Sequence, residues 1–392
     1  MGVECSFFSG GTPNSTDAEL YNGTIPFIRS AEIDATETAL YLSEKGLTCS
    51  SSKLVEVGDL LLAMYGANSG DVAISKINGA INQAILCIRS ATLKTAFIKF
   101  YLERDKAKIT SKYLQGGQGN LSAEIIKELT FPFPQNNEQN KIISFIVTIE
   151  KRITAQRRLV ELLKKHKRGL VQDLFARDAL TLSRRRFMGF KGAWTSRSFS
   201  EIFCFIKNNT LSRSEMTTEA GSTMNIHYGD VLIKYGDVLD CDKTKIPLIV
   251  DGKESEANRL LNDGDVIIAD TAEDETVGKS IELTSVGSKK IESGLHTIAC
   301  RPKITFAPRF LGYYLNSTAY RYQLLPLMQG IKVFSLSKTQ LGKTNLIFPS
   351  SLHEQKKIAD SLAEIDERIG AAHSILDKMQ SLKKGLLQQL FV

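Results

Sequence analysis

The sequence predicts an α+β chain: two mixed α/β blocks and two long helices that form an antiparallel coiled coil, arranged as a pseudo-twofold internal repeat. Three observations carry this expectation. The segment 138–175 recurs as 354–391 over 38 positions without a gap, and 14 of them are identical, too many for two unrelated helices. Both copies keep apolar residues in heptad rows. Blocks 1–137 and 187–353, which precede the two copies, alternate short apolar runs with Gly, Asn and Asp turns.

In the first block, β-rich runs are expected at Leu60 to Met64, Val72 to Ile77 and Ile85 to Ile88, then a helix near Ala96–Tyr113. The second block repeats the pattern with Val231 to Ile233, Val266 to Ala269, Ile298 to Cys300 and a helix near Pro308–Leu325. Correspondences outside the helices keep their order: Thr12 with Thr210, Arg29 with His227, Gly58-Asp59-Leu60 with Gly264-Asp265-Val266, and Gln83 with His296. One stretch has no counterpart. The second block opens with Lys191-Gly192-Ala193-Trp194 to Glu201, whereas only eleven residues precede Thr12.

The repeated segments, 138–186 with its linker and 354–392, read as helices of roughly 57 Å at 1.5 Å per residue. Setting Ile142 as heptad position a gives one row of Ile142, Ile149, Leu163 and Leu170, interrupted by Gln156. The d row is then Ile146, Ile153, Val160 and Leu174, interrupted by Lys167. The second copy has Ile358, Ile365, Met379 and Leu386 with Ala372, and Leu362, Ile369, Leu376 and Leu390 with Lys383. Asn136 and Ser351 stand three residues before Gln139 and Glu354, at capping-box spacing. Related halves about a twofold axis require these helices to run antiparallel, as spacers carrying one block at each end.

Composition excludes several classes. A hydrophobic content of 42% and a charged content of 24% over 392 residues describe a folded chain, not a disordered one. No apolar run reaches the roughly 18 residues of a membrane span, and no signal peptide is readable, so a cytoplasmic protein without a membrane partner is expected. Six cysteines lie scattered, and five histidines (His166, His227, His296, His353, His373) share no ligand spacing, so no metal site is expected. The net charge of +7 is local: segment 138–186 has 13 Lys/Arg against 5 Asp/Glu, while every other segment is near neutral. Charge alone therefore does not distinguish a nucleic-acid partner from a solvated helix face.

Two duplicated blocks closing in Phe131-Pro132-Phe133-Pro134 and Ile347-Phe348-Pro349, each leading into Glu-Gln-x-Lys-Ile and a heptad helix, resemble the specificity subunit of type I restriction-modification systems. Gly10-Gly11-Thr12-Pro13 leading to Ile25–Arg29, and Asn225–Leu232, are similar to patterns in that family's target-recognition domains. The resemblance spans essentially the whole chain. It implies two target-recognition domains (1–137 and 187–353) that each read half of a bipartite double-stranded DNA target, with the helices as a ruler. It also implies two modification subunits that methylate adenine, and restriction subunits joining that core. S-adenosylmethionine and ATP are then expected only in those partners.

Polar loop positions and the pairing between copies nominate the DNA-contacting residues. In the first block these are Arg29, Ser30, Tyr65, Asn68, Gln83, Gln118 and Asn120; in the second, His227, Tyr228, Lys234, His296, Lys332 and Ser335. Gln and Asn pair with adenine edges, Arg and Lys with guanine, and hydroxyls with either bases or phosphates. Taken singly, each fits turn chemistry equally well. No cofactor loop, Walker lysine or amino-methyltransferase motif is present, and the run Asp270, Glu273, Asp274, Glu275 reads as a polar loop rather than a nuclease site. The rival expectation is a coiled-coil scaffold without DNA specificity; a stand-alone methyltransferase or nuclease ranks below both.

Overall fold

The computed structural model describes residues 1–113, 121–176, 185–219, 221–250, 260–330 and 332–391. They form two compact units, Met1–Arg157 with Ser374–Val392, and Arg158–His373. The long helices, Asn136–Leu174 and Leu352–Leu390, each contribute one segment to each unit.

The first unit contains β1 (Ser6–Ser9), β2 (Ile25–Ile28), β3 (Tyr41–Leu42), β4 (Lys53–Val55), β5 (Leu60–Ala63), β6 (Val72–Ile74), β7 (Gly79–Ile81) and β8 (Ile85–Arg89). One sheet has the order β1-β8-β5-β6 and is antiparallel; the other has the order β3-β2-β7-β4, with β2 and β7 parallel. β5 is a continuous apolar run because both its faces are buried. Leu60 and Leu62 pack with Phe97 and Phe100 of the helix Thr95–Tyr113, while Leu61 and Ala63 pack with Ile28 and Ile81 of the other sheet.

The second unit contains β9 (Thr195–Ser198), β10 (Phe203–Ile206), β11 (Met216–Thr217), β12 (Met224–Ile226), β13 (Val238–Asp240), β14 (Leu248–Ile249), β15 (Val266–Ala269), β16 (Thr271–Ala272), β17 (Ser280–Thr284), β18 (Ile291–Ser293), β19 (Thr297–Pro302), β20 (Phe334–Ser335) and β21 (Asn345–Phe348). Its main sheet, β10-β19-β15-β17-β13, repeats the first unit's order with one strand added, and β12 lies parallel to β18 as β2 does to β7. β15 divides its faces as β5 does. Val266 and Ile268 pack with Phe310 and Tyr314, and Ile267 and Ala269 with Ile226 and Ile291.

Within each unit the two helix segments pack antiparallel. Ile142 and Ile146 share a core with Leu387 and Phe391; Leu174 and Phe175 share one with Ile358, Ala359 and Leu362. All seam positions are buried or half-buried. The stripe broadens beyond the seam at Leu387, Phe391, Ala359 and Ala363, because there the helices also meet the blocks. The repeated glutamine has a specific task. Gln139 donates to the Pro134 carbonyl (2.9 Å) and accepts from Lys94 N–H (3.3 Å); Gln355 donates to Pro349 (2.8 Å) and accepts from Ala307 N–H (2.9 Å). Each buried amide thus fastens the approach to its long helix onto the approach to its block helix.

Several sequence expectations need correction. Val231–Ile233 is not a strand but the end of the helix Tyr228–Ile233, which His227 caps by accepting from Gly229 N–H; a short apolar run carries no period of its own. The helix expected over Pro308–Leu325 is broken into Phe310–Asn316, Thr318–Arg321 and a 3-10 turn at Leu325–Leu327. Val72–Ile77 shortens to Val72–Ile74. The long helices start two residues earlier than the repeat implies and end one earlier. Ser351 caps the second by accepting from Glu354 N–H, but Asn136 lies inside the first, where the Gln135 carbonyl accepts from Glu138 and Gln139 N–H. The heptad letters also exchange. Four residues lie from Ile142 to Ile146 and three from Ile146 to Ile149, so the Ile146 row is a and includes Lys167 and Lys383.

Candidate functional site

In both units, chain segments distant in sequence emerge at one end of the paired parallel strands. In the second unit, β12 runs out into His227 and Tyr228, β18 into Gly294–His296, and β15 into Asp270 and Thr271. A fourth segment, Gln329–Ser335, closes on itself through reciprocal Gln329–Ser335 backbone bonds and pairs Ser335 with Thr271. Asp270 N–H donates to the His296 carbonyl (3.1 Å), and Leu336 N–H to the Asp270 carbonyl (2.8 Å). The side chains follow: Tyr228 meets the His296 ring edge-on at 5.3 Å and lies 4.6 Å from the His227 ring. His296 Nδ1 is 3.3 Å from the Thr271 hydroxyl and 3.4 Å from the Asp270 carboxylate.

The segment Asn225–Leu232 owes most of its residues to this placement. Asn225 is fully buried and accepts from Asn209, whose amide also donates to Glu292; Val231 is core. Asp230 is buried under a bidentate Arg213 guanidinium at 2.5 and 3.0 Å. Only His227 and Tyr228 of the early part face outward by half. Burial, then the Arg213 charge, lowers the His227 pKa and favours the neutral ring, which can both accept and donate.

The first unit repeats the arrangement with different side chains. β2 runs out into Arg29 and Ser30, β7 into Asn82 and Gln83, and β5 into Met64 and Tyr65. Met64 N–H donates to Ala84 (2.8 Å) and Leu121 N–H to Met64 (3.1 Å), as at Asp270 and Leu336. The Thr12 hydroxyl donates to the Gln83 side-chain oxygen Oε1 at 2.5 Å. Gly10 makes this possible, since a Cβ there would fall 1.7 Å from the Ile81 carbonyl oxygen. Arg29 is not a free fork: Glu32 accepts from its Nε and Nη2 at 3.0 and 3.1 Å, which raises the guanidinium pKa. An open cleft of about 1160 Å³ runs past Ser30 and Asn68 between block and helices. Its lining includes Lys76, Lys99, Arg104, Lys106, Arg157, Lys383 and Lys384 against Asp34, Asp71, Glu103 and Glu150, a cationic surplus suited to phosphates.

The structure therefore brings Arg29, Ser30, Tyr65 and Gln83 to one strand-end cluster, with Asn68 one turn further along a 3-10 helix. It groups His227, Tyr228, His296 and Ser335, with exposed Lys332 on the same loop as Ser335. Lys234 stands apart, ending its helix and donating to the Lys245 carbonyl (2.7 Å). Gln118 and Asn120 lie outside the described residues. Sequence reasoning passed over Thr271 and Arg213, and took Asp270 only as part of an acidic run. The position of Thr271 follows Tyr65 of the other copy through the β5–β15 correspondence, whereas Arg213 had no signal. Asp274 caps its own loop, accepting from Thr276 N–H (2.8 Å), and no metal-holding group of His, Cys, Asp or Glu occurs among the described residues. Nor is any described helix long and apolar enough to cross a membrane.

Comparisons with known proteins agree with this geometry. Residues 5–164 match the family described as Type I restriction modification DNA specificity domain. The Type I restriction enzyme MjaVIII specificity subunit of Methanocaldococcus jannaschii is 19% identical over 86% of this chain and 79% of the relative. The MjaIX specificity subunit of the same organism is 28% identical over 42% of this chain and 40% of its own length. The crystal structure of a type I restriction-modification S subunit from M. genitalium shares the fold, with a TM-score of 0.58 at 17% identity, covering 100% of this chain and 94% of that one. A chain from a study of complex assembly and conformational transition in the type I R-M system scores 0.60 at 17% identity, covering 99% and 97%. Residues 5–164 thus match the DNA specificity domain of type I restriction-modification systems, and over most of its length the chain is similar to specificity subunits of those systems.

Proposed function

We propose that this chain is a specificity subunit that reads a bipartite sequence of double-stranded DNA, one half with each strand-end cluster, and carries no catalytic step itself. The observation that supports this most is the recurrence of the cluster: the same strand exits meet in both units, on matching backbone bonds at Met64 and Asp270, with different side chains. A constant frame with exchanged polar groups is what reading two different half-sequences requires. The cationic cleft and backbone amides supply the phosphate contacts that set position without choosing sequence.

In this reading two modification subunits dock on the helices and adjoining surfaces, and restriction subunits join that core. Adenine methylation with S-adenosylmethionine, and any use of ATP, belong to those partners. The test is to sequence methylation in DNA exposed to the chain with and without a modification subunit. A bipartite adenine mark is expected only with the partner, and exchanging residues 1–137 for another variable block changes one half of it. A change in both halves, or a mark made by this chain alone, overturns the reading.

A further inference from the structure

The two lysines that interrupt the seam are built into matching clusters. Lys383 donates to Glu150 of the opposite helix (2.7 Å) and to Glu103 of the block helix (2.6 Å), with the Phe100 ring 5.8 Å away. Lys167 lies 2.6 Å from Asp366 of the opposite helix and 2.6 Å from Asp237 of the block, with the Tyr313 ring at 5.1 Å. Lys167 and Lys383 are 216 residues apart, and so are Glu150 and Asp366, the repeat's own offset. The supporting groups differ. Lys99 also donates to Glu150 (2.8 Å) in the first unit, whereas the Tyr313 hydroxyl donates to Asp366 (2.9 Å) in the second. Both ammoniums are less than one-fifth exposed.

A seam of Ile and Leu alone is satisfied by any shift of whole heptads; a half-buried ammonium is not. Sliding one helix by seven residues sets Lys383 against Ile143 or Arg157 in place of Glu150. The same slide sets Lys167 against Ala359 or His373 in place of Asp366. No slipped alignment offers either lysine a carboxylate on that row.

We infer that Lys167 and Lys383 are register keys: they determine which residue of one long helix faces which of the other, and so the gap that the subunit accepts between its half-sites. The part concerning the gap rests on the proposed reading of bipartite DNA. The keys are positioning residues and touch no base.

The experiment uses the full chain with its modification subunit and reads the methylated motif. Lys167→Met with Lys383→Met removes the keys while keeping apolar reach. Both half-sequences are expected to persist while the single gap broadens to two or more lengths. A second variant moves the acids one heptad in the same sense on both helices: Glu150→Ile, Arg157→Glu, Asp366→Ala and His373→Asp. That step is about 10 Å of helix, or about three base pairs, and the preferred gap is expected to move by that amount. An unchanged single gap in either folded variant overturns the inference, as does failure of both to fold, which would assign the lysines to stability alone. A wild-type chain that gives no bipartite mark would instead refute the underlying reading, so the two failures are distinguishable.

Discussion

The two units share the order of four main-sheet strands, block-helix packing and the glutamine fastening, yet they finish one edge differently. In the second unit, β9 pairs with β21 from Ser198↔Asn345 to Thr195↔Phe348, and Phe348 is 5% exposed. The corresponding Thr130–Phe133 of the first unit carries no strand; Met1 and Gly2 N–H donate to Leu129 and Lys127 there, and Phe133 is 46% exposed. The clusters differ in the opposite manner, with matching backbone bonds at Met64 and Asp270 but unrelated side chains. Edges and readers vary between the copies, while the frame joining them to the helices stays constant.

The largest test of this contrast lies at the edges. Phe348→Ala removes a buried edge-strand ring packed against Phe306 and is expected to cost about 3–5 kcal/mol. Phe133→Ala, on the open edge of the first unit, is expected to cost less than about 1 kcal/mol. Denaturant unfolding of the two variants measures the difference, and equal losses would abolish the distinction between the edges. Gln139→Ala and Gln355→Ala should each cost about 1–3 kcal/mol, because each strands a backbone N–H. Similar values would confirm a shared fastening; a silent Gln139→Ala would confine it to the second unit.

Substitutions in the clusters should separate the units by sequence, not stability. His296→Ala should relax discrimination in one half of the methylated motif, and Gln83→Ala in the other. Each effect is expected to be about 1–3 kcal/mol at the affected base pair, read from methylation of targets altered one base at a time. Relaxation of both halves by one substitution would sink the assignment of one cluster to each half.

The smallest effect is one of pH. Burial pushes the Glu282 carboxyl of the second unit up to about 7, although the N–H groups of Gly312 and Arg309 oppose it. In the first unit burial likewise raises Glu150, but the ammoniums of Lys383 and Lys99 outweigh it and hold that pKa below the ordinary value. The folded Glu282 binds its proton more readily than the unfolded chain does. Its contribution is therefore fully present below about pH 4.5 and is lost as pH rises to about 7. For Glu150 the sign is opposite: its contribution is present above the unfolded pKa and lost as pH falls through the folded one. Relative to wild type, Glu282→Gln should therefore gain stability between pH 5 and 8, whereas Glu150→Gln should lose it on going from acid to neutral pH. Parallel pH profiles for the two variants would refute the contrast.

Much of this was legible in the chain. A gapless 38-residue repeat with 3-4 apolar spacing determined both long helices and the duplication, because helical periodicity is a local property. The pairing of Arg29 with His227 already located one strand exit, whereas Gln83 with His296 is one residue off, because Ala84 accepts from Met64 N–H as His296 does from Asp270 N–H. Short apolar runs were less readable: Val231–Ile233 became helix once His227 capped it and Asp230 found Arg213. Only the tertiary structure decided that Thr271 joins His296, that Glu32 occupies Arg29, and that Lys167 and Lys383 are held by acids on the opposite helix. Most of these partners are distant in the chain, and none is implied by the lysine, histidine or arginine alone. A seam lysine looks like an interruption in sequence; its meaning depends on which carboxylate the fold sets opposite it.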